Sequence, residues 1–342
     1  MMRKLASVVR VDDLRPIPKA DAIELAVIAG WQCVVKKGEF AVADRAVYLE
    51  IDAVPPDTPT FSWLWQPKTP GPGPVPRPAS FRIRTMRLRG CLSQGLLLPL
   101  PKVGLDDDAV AVGDDVTARL GVTKYEPDVP LGAGGVRGPF PGVVPKTDEM
   151  RVQAVPAVLD ELRGHPWVAT LKCDGTSATF VRVDDELHCC SRNQSVLDDG
   201  KSFYWQIARA FRLDEILAHH PRLAIQGEIV GPGIQKNPMG LTEKSLRVFN
   251  VFDIASGTFF GDADLRAFCA SEGLVPVPLV ESGDAFDETV TSLLLKAEGL
   301  YDGTTNEREG IVVRPRDGDR FSEALGGRLS FKAISNRFLL AE

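Results

Sequence analysis

The chain has 342 residues, 44% of them hydrophobic and 25% charged, and a formal net charge of −6, which is the balance of a globular protein with room for two cored domains. It holds no run of about 18 apolar residues, so a helical membrane span is excluded. MMRKLASVVRVDDL lacks an apolar stretch long enough for a signal peptide, so a cytoplasmic protein is expected.

Six cysteines (Cys33, Cys91, Cys173, Cys189, Cys190 and Cys269) are scattered without a CxxC pair, which argues against a zinc site and a disulfide framework. His188 stands beside Cys189 and Cys190, but the alternation in DELHCCSR reads as a strand whose neighbours face opposite sides. The first 127 residues carry 17 Lys/Arg against 15 Asp/Glu and the remainder 23 against 31. A mildly basic front joined to an acidic rear suits a binding module attached to a metal-using catalytic one, although an acidic surface would explain it as well.

Residues 1–126 read as all-β, with strand-like pieces such as GWQCVVKK and DRAVYLEI separated by Gly, Asp and Pro at short spacing. QPKTPGPGPVPRPAS (66–80) is too rich in proline and glycine for regular structure. In FRIRTMRLRG, Arg82, Arg84, Arg87 and Arg89 crowd eight residues; they could grip phosphates or merely solvate an edge strand. A second Pro/Gly-rich stretch, 127–145, marks a domain boundary near residue 127. From 150 onward, helix candidates (VQAVPAVLDELRG, SFYWQIARAFRLDEILAHH, ADLRAFCASEG, ETVTSLLLKAEG) alternate with strand candidates (WVATLK, SATFVRV, LHCCSR, LAIQGEIV, LRVFNVFDI, GIVVRP, LSFKAIS). Several strands follow one another directly, so the pattern is α+β with antiparallel sheets.

The chemistry concentrates around LKCDGTSATF (171–180), where Lys172, Asp174 and Gly175 interrupt an apolar run. A lysine nucleophile needs a depressed pKa, and a glycine permits close backbone approach. Alone, KxDG is a weak signal. It is followed in order by SRN (191–193), IQGEIVGPGIQKN (225–237), FNVFDI (249–254), REGIVVRP (308–315) and LSFKAIS (329–335). Glu228 and Glu309 fall at strand positions in apolar surroundings, where an unpaired carboxylate is costly unless it meets a metal or partner. Arg192 and Lys332 can neutralise phosphate charge, and Phe249 or Phe252 can stack on a purine.

This ordered set resembles the covalent nucleotidyltransferase superfamily of polynucleotide ligases and capping enzymes. GEIVGPGIQ and KTDEMRVQ (146–153) are similar to elements of ATP-dependent RNA ligases of the double-strand-repairing kind. IPKADAIELAVIAGWQCVVKKGEFAVADRAVYLEID and RTMRLRGCLSQGLLLPL are similar to the N-terminal OB-like domain of the Deinococcus RNA ligase group. The resemblance covers nearly the whole chain. It implies an OB-like β-barrel over 1–126 and an adenylyltransferase domain of antiparallel sheets flanked by helices over 127–342.

It also implies an ATP-dependent RNA ligase using Mg2+ or Mn2+, acting as a monomer on nicked duplexes with RNA on the 3′-hydroxyl side. Lys172 would take AMP. The nucleotide would meet Leu171, Lys172, Arg192, Glu228 and Lys332, with adenine sandwiched by Phe252 or, failing that, Phe249. Asp174 would contact the ribose, and Asp174, Glu228 and Glu309 would serve the metal. Arg82, Arg84, Arg87 and Arg89 would hold nucleic acid. The last motif departs from the family pattern by offering one lysine, so Lys332 would act alone or with Arg337 or Lys146. DNA ligases and capping guanylyltransferases, the nearest alternatives, typically carry an OB domain after the last motif, whereas this sequence ends ten residues past Lys332. A non-catalytic OB-type binding protein would not need Lys172, Asp174, Glu228 and Glu309 together.

Overall fold

The computed structural model describes residues 3–67, 73–126 and 132–341. The chain divides into two compact units, Met1–Pro127 and Asp128–Glu342. The expected boundary near 127, like part of the 66–80 stretch, lies outside the described residues.

The first unit is built from short antiparallel strands. Ala6–Arg10, Arg45–Leu49 and Leu96–Pro99 form one sheet with the Arg45–Leu49 strand central, and Asp13–Pro16, Ile23–Ile28 and Trp31–Lys36 form a meander. Period-two alternation turns Ala6 and Val8 inward to meet Val47, Leu49 and Leu98, all at 2% exposure or less. The arginine-rich segment ends in a hairpin of Met86–Leu88 and Cys91–Ser93.

The four arginines do not act alike. Arg82 Nε donates to Asp52 Oδ1 at 3.1 Å and its guanidinium lies 4.3 Å from the Tyr125 ring centroid. Its Nε edge is therefore engaged inside the unit. Arg84, Arg87 and Arg89 are exposed.

The second unit is built on two large sheets, with a small two-stranded ribbon of Phe321–Ser322 and Gly327–Arg328 beside them in the chain. One has seven antiparallel strands in the order Val136–Pro139, Gln194–Val196, Glu186–Cys190, Thr176–Val183, Leu223–Val230, Ser245–Asp253, Thr258–Phe259. The other has five, in the order Met150–Arg151, Phe331–Ile334, Gly310–Pro315, Trp167–Lys172, Leu279–Gly283. Helices Phe203–Ala210, Leu213–His219 and Asp262–Glu272 cover one face of the larger sheet, where Phe180, Ile225, Val248 and Val251 meet Tyr204, Leu217 and Phe268. On the smaller sheet, Trp167, Ala169, Ile311, Val313 and Phe331 form an apolar face against Val290–Ala297.

Two expected helices are broken. Pro156 divides 152–164 into a single 3-10 turn and the short helix Val158–Leu162, because a proline lacks the N–H that the ladder needs. Arg212, left-handed at φ 52, splits 202–220 into two helices.

Candidate active site

The strand carrying the nucleophile candidate, Trp167–Lys172, belongs to the five-stranded sheet, and the next strand, Thr176–Val183, belongs to the seven-stranded one. Cys173, Asp174 and Gly175 are thus where the chain crosses between sheets. A Cβ on Gly175 would lie 2.3 Å from the Ile229 carbonyl oxygen, and one on Gly310 would lie 2.2 Å from that of Ala333. No side chain fits at either position, so Gly175 is fixed by close packing, and Gly310 by close packing together with its positive φ of 157.

Sheet register sets which side chains enter the space at the crossing. Thr170 pairs with Val312 and Val312 with Lys332, while Lys172 pairs with Gly310. Period two therefore turns Thr170, Lys172, Val312, Arg314 and Lys332 away from the apolar face. From the larger sheet, Ser177 lies opposite Glu228. Lys172, Glu228, Lys332, Arg192, Ser177, Arg314 and Leu171 line one cavity, together with Thr147, Asp148, Glu149 and Phe249. All six expected elements meet there: the lysine strand, SRN through Arg192, GEIVG through Glu228, FNVFDI through Phe249, REGIVVRP through Val312 and Arg314, and the terminal lysine.

Lys172 Nζ lies 2.7 Å from Glu309. Burial alone would pull the Lys172 ammonium down. The Glu309 carboxylate, helped by Glu228 and Asp174, outweighs it and holds the lysine above its usual range. In the ligand-free protein Lys172 is accordingly a locked cation, contrary to the simple expectation of a depressed amine. Lys332 behaves differently. Burial, with the Lys172 and Arg151 charges adding to it, pushes it down to about 8 even though Asp148 sits 3.6 Å away. Arg337 is engaged by Glu298 at 3.1 Å and Lys146 by Asn193 at 3.4 Å. Neither lines the cavity with Lys332.

Phe252, expected to sandwich adenine, packs instead with Val144, Val181, Ala224 and Phe259. The strand Ser245–Asp253 has a register shift between the residues facing Gln226 and Gly227, which leaves Phe249 as the extra residue of a bulge. That bulge brings Phe249 to the cavity wall, while Phe252, three residues along the strand at about 3.3 Å each, is carried past it. The fallback residue is thus the one at the site.

Two residues without an expected role organise the surroundings. Arg314, 7% exposed, donates to Phe249 O at 2.7 Å, Asn250 Oδ1 and Ser330 Oγ, and pairs with Glu149 at 3.0 Å. It thereby ties the bulge to the smaller sheet. Tyr301, 2% exposed, accepts from the backbone N–H of Asp174 (3.0 Å) and Glu309 (3.2 Å) and donates to Lys172 O (3.3 Å). It clamps the nucleophile turn to its carboxylate partner. Arg314 lies inside REGIVVRP and could have been singled out as a charge in an apolar strand. Tyr301 sits in a loop, GLYDGTTNEREG, that carries no such mark.

Among the described residues no three His, Cys, Asp or Glu side chains converge as a metal cage. Asp174 lines the adjoining cavity rather than the one holding Glu228, so the expected three-carboxylate metal set is not assembled at one point. Among the described residues Glu228 meets no hydrogen-bond donor or ion-pair partner, and burial, with Glu309 adding to it against the pull of Lys172, pushes its carboxyl up to about 8. A half-buried acid that lines the cavity beside Lys172 fits a cation-binding role.

An RNA ligase family model matches residues 165–334, and an OB-fold domain model matches residues 5–100. Among solved structures, a glutamate-to-alanine mutant of Naegleria gruberi RNA ligase with AMP and Mn is 34% identical, with a TM-score of 0.86, and the match covers 98% of each chain. The chain belongs to the RNA ligase family. The Naegleria gruberi ligase with pyrophosphate matches this ligase with 34% identity, a TM-score of 0.85, and 99% and 98% coverage. A lysine-to-alanine mutant of the same protein with ATP and Mn gives 34%, 0.86 and 98% of each chain. A search of curated proteins gives no match. The RNA ligase thus has an N-terminal OB-fold domain followed by an α+β ligase domain.

The raised Glu228 carboxyl makes a stability prediction for the ligand-free ligase. Its folded pKa lies above the unfolded value, so charging it costs the folded state increasingly as pH rises from 4.5 to 8. Glu228→Gln is therefore expected to stabilise the protein by about 4 kcal/mol at pH 8 and by a few tenths at most at pH 4.5. Thermal melts at both pH values check this, and a mutant advantage that does not change with pH contradicts it.

Proposed function

We propose that this ligase uses ATP to place AMP on Lys172 and then seals a 5′-phosphate to a 3′-hydroxyl, acting as a monomer on nicked duplexes with RNA on the 3′-hydroxyl side. The observation that carries the reading is Lys172 at the crossing of two sheets, 2.7 Å from Glu309 and beside Glu228, Arg192 and Lys332. The likeness to ligase structures holding ATP, AMP, Mn and pyrophosphate supports ATP and a divalent cation here as well.

In the first step Lys172 Nζ attacks the α-phosphorus, a P–N bond forms, and the P–O bond to pyrophosphate breaks. In the second, a 5′-phosphate oxygen displaces Lys172 from that phosphorus. In the third, a 3′-oxygen attacks the 5′-phosphate phosphorus and AMP leaves. The protein supplies position and charge rather than further covalent chemistry. Phe249 offers a face to the base. Lys332 and Arg192 oppose the phosphate charge, and Arg314 and Tyr301 hold these parts in register. Glu309 and Glu228 would hold Mg2+ or Mn2+, which would supply Lewis-acid stabilisation of the phosphoryl oxygens. Engaging Glu309 elsewhere also releases Lys172 from the carboxylate that keeps it charged.

Incubation with labelled ATP or GTP and Mg2+ or Mn2+ tests the first half: an adduct with ATP only is expected, and no adduct under any condition refutes it. Matched nicks with RNA or DNA on each side test the second half, and equal sealing of all-DNA nicks refutes the RNA requirement.

In the OB-fold domain, exposed Arg84, Arg87 and Arg89 would meet backbone phosphates. Replacing all three by alanine is expected to lower the slope of log affinity for nicked duplex against log salt by about 2–3, with ATP labelling intact. An unchanged slope, read from binding titrations at several salt concentrations, removes these residues from the interface.

A further inference from the structure

A second cavity of ≈ 330 Å³ opens on the other side of the Lys172 turn, and Asp174 forms part of its wall. The rest of the wall comes from the Gln235–Lys236 turn, from Thr305 and Asn306 in the Tyr301 loop, and from Phe338. Each of these segments is held in place. Gln235 and Asn237 are left-handed at φ 46 and 49, a conformation that costs energy for non-glycine residues and persists only where surroundings impose it. Gln235 Nε2 donates to Gly175 O at 3.0 Å, which pins the turn to the nucleophile crossing. Asn306 Nδ2 donates to Pro238 O at 2.8 Å, joining the two loops. Lys236, exposed between the two left-handed residues, makes no ion pair among the described residues.

The lining chemistry selects among possible occupants. One free cation beside two carboxylates, Asp174 and Glu307, is a poor match for a triphosphate or pyrophosphate, which would demand several cations. Amides and a hydroxyl match sugar hydroxyls, the Phe338 ring offers an apolar surface for a base, and Lys236 suits a single phosphodiester.

We propose that this cavity seats the terminal nucleotide of the 3′-hydroxyl strand. The inference rests on the sealing reaction proposed above. In the final step the 3′-oxygen attacks the 5′-phosphate phosphorus, the new P–O bond forms as the P–O bond to AMP breaks, and the hydroxyl proton passes to solvent. In-line displacement requires the 3′-oxygen to approach opposite the departing AMP, and a strand seated against Asp174 would end two residues from Lys172 and outside the cavity lined by Phe249.

The test isolates this step with a duplex whose 5′ end at the nick is already adenylylated and whose 3′ strand ends in a ribonucleotide. Lys236→Ala and Phe338→Leu are compared with the unaltered protein in single-turnover sealing and, separately, in labelling by ATP. Sealing is expected to fall about tenfold or more, with labelling within about twofold of the unaltered protein. Sealing unchanged in both variants overturns the proposal, as does a parallel loss of labelling and sealing, which would mean general disruption. Absence of labelling in the unaltered protein refutes the ATP reading instead, and pre-adenylylated nicks keep the two failures apart.

Discussion

Lys172→Ala will form no detectable protein–AMP adduct, a loss of roughly 10⁴-fold or more, because the proposed covalent partner of AMP is gone. Lys172→Arg separates nucleophile from charge: it keeps a cation beside Glu309 but presents a guanidinium that does not deprotonate, so labelling vanishes there too. The two variants should differ in stability. With side-chain exposures of 23% and 16%, the Lys172–Glu309 pair is largely shielded from water, and alanine leaves Glu309 near Glu228 without its cation, at a cost of about 2 kcal/mol that arginine partly recovers. Labelling by ATP followed on gels, with melts of each variant, checks both halves. An adduct in either variant would place the nucleophile elsewhere.

Glu309→Gln sets two effects against each other. Glu309 is the strongest influence keeping Lys172 charged, so its neutralisation alone would free the amine and speed adenylylation. If Glu309 instead holds the divalent cation, the loss of that contact dominates and labelling falls by about 10²–10³-fold, in the range of removing one preorganised electrostatic contact. We expect the fall. The pH–rate profile for labelling distinguishes the contributions: the residual activity of Glu309→Gln should reach its plateau at lower pH than the unaltered protein, because the amine titrates earlier. A faster first step in Glu309→Gln would mean that the carboxylate only restrains the lysine.

The sheets and the site elements could be read in the sequence because strand periodicity and unusual residues coincide. Lys172 and Glu228 each interrupt an apolar run, and Glu309 stands at the entry to the strand Gly310–Pro315; a charge so placed is costly unless used. Broken helices were harder: the apolar spacing of 202–220 continues through Arg212, and only the left-handed backbone there ends the first helix. Phe252 and Phe249 could not be separated, since a bulge shifts side-chain parity without any residue that announces it. Arg82 could not be told from its three neighbours, because its partners, Asp52 and Tyr125, are distant in sequence. Tyr301 was invisible for a related reason. Its role lies in three backbone contacts to residues 172, 174 and 309, and only the folded chain brings those together.

The most direct test of the reaction assigned to Lys172 starts from isolated protein carrying labelled AMP, free of ATP. Adding a nicked duplex with a 5′-phosphate and an RNA 3′-hydroxyl should discharge the label from Lys172, release AMP and join the strands in equal amounts. Label that stays on the protein, or leaves without joined product, would contradict an RNA ligase working through this lysine.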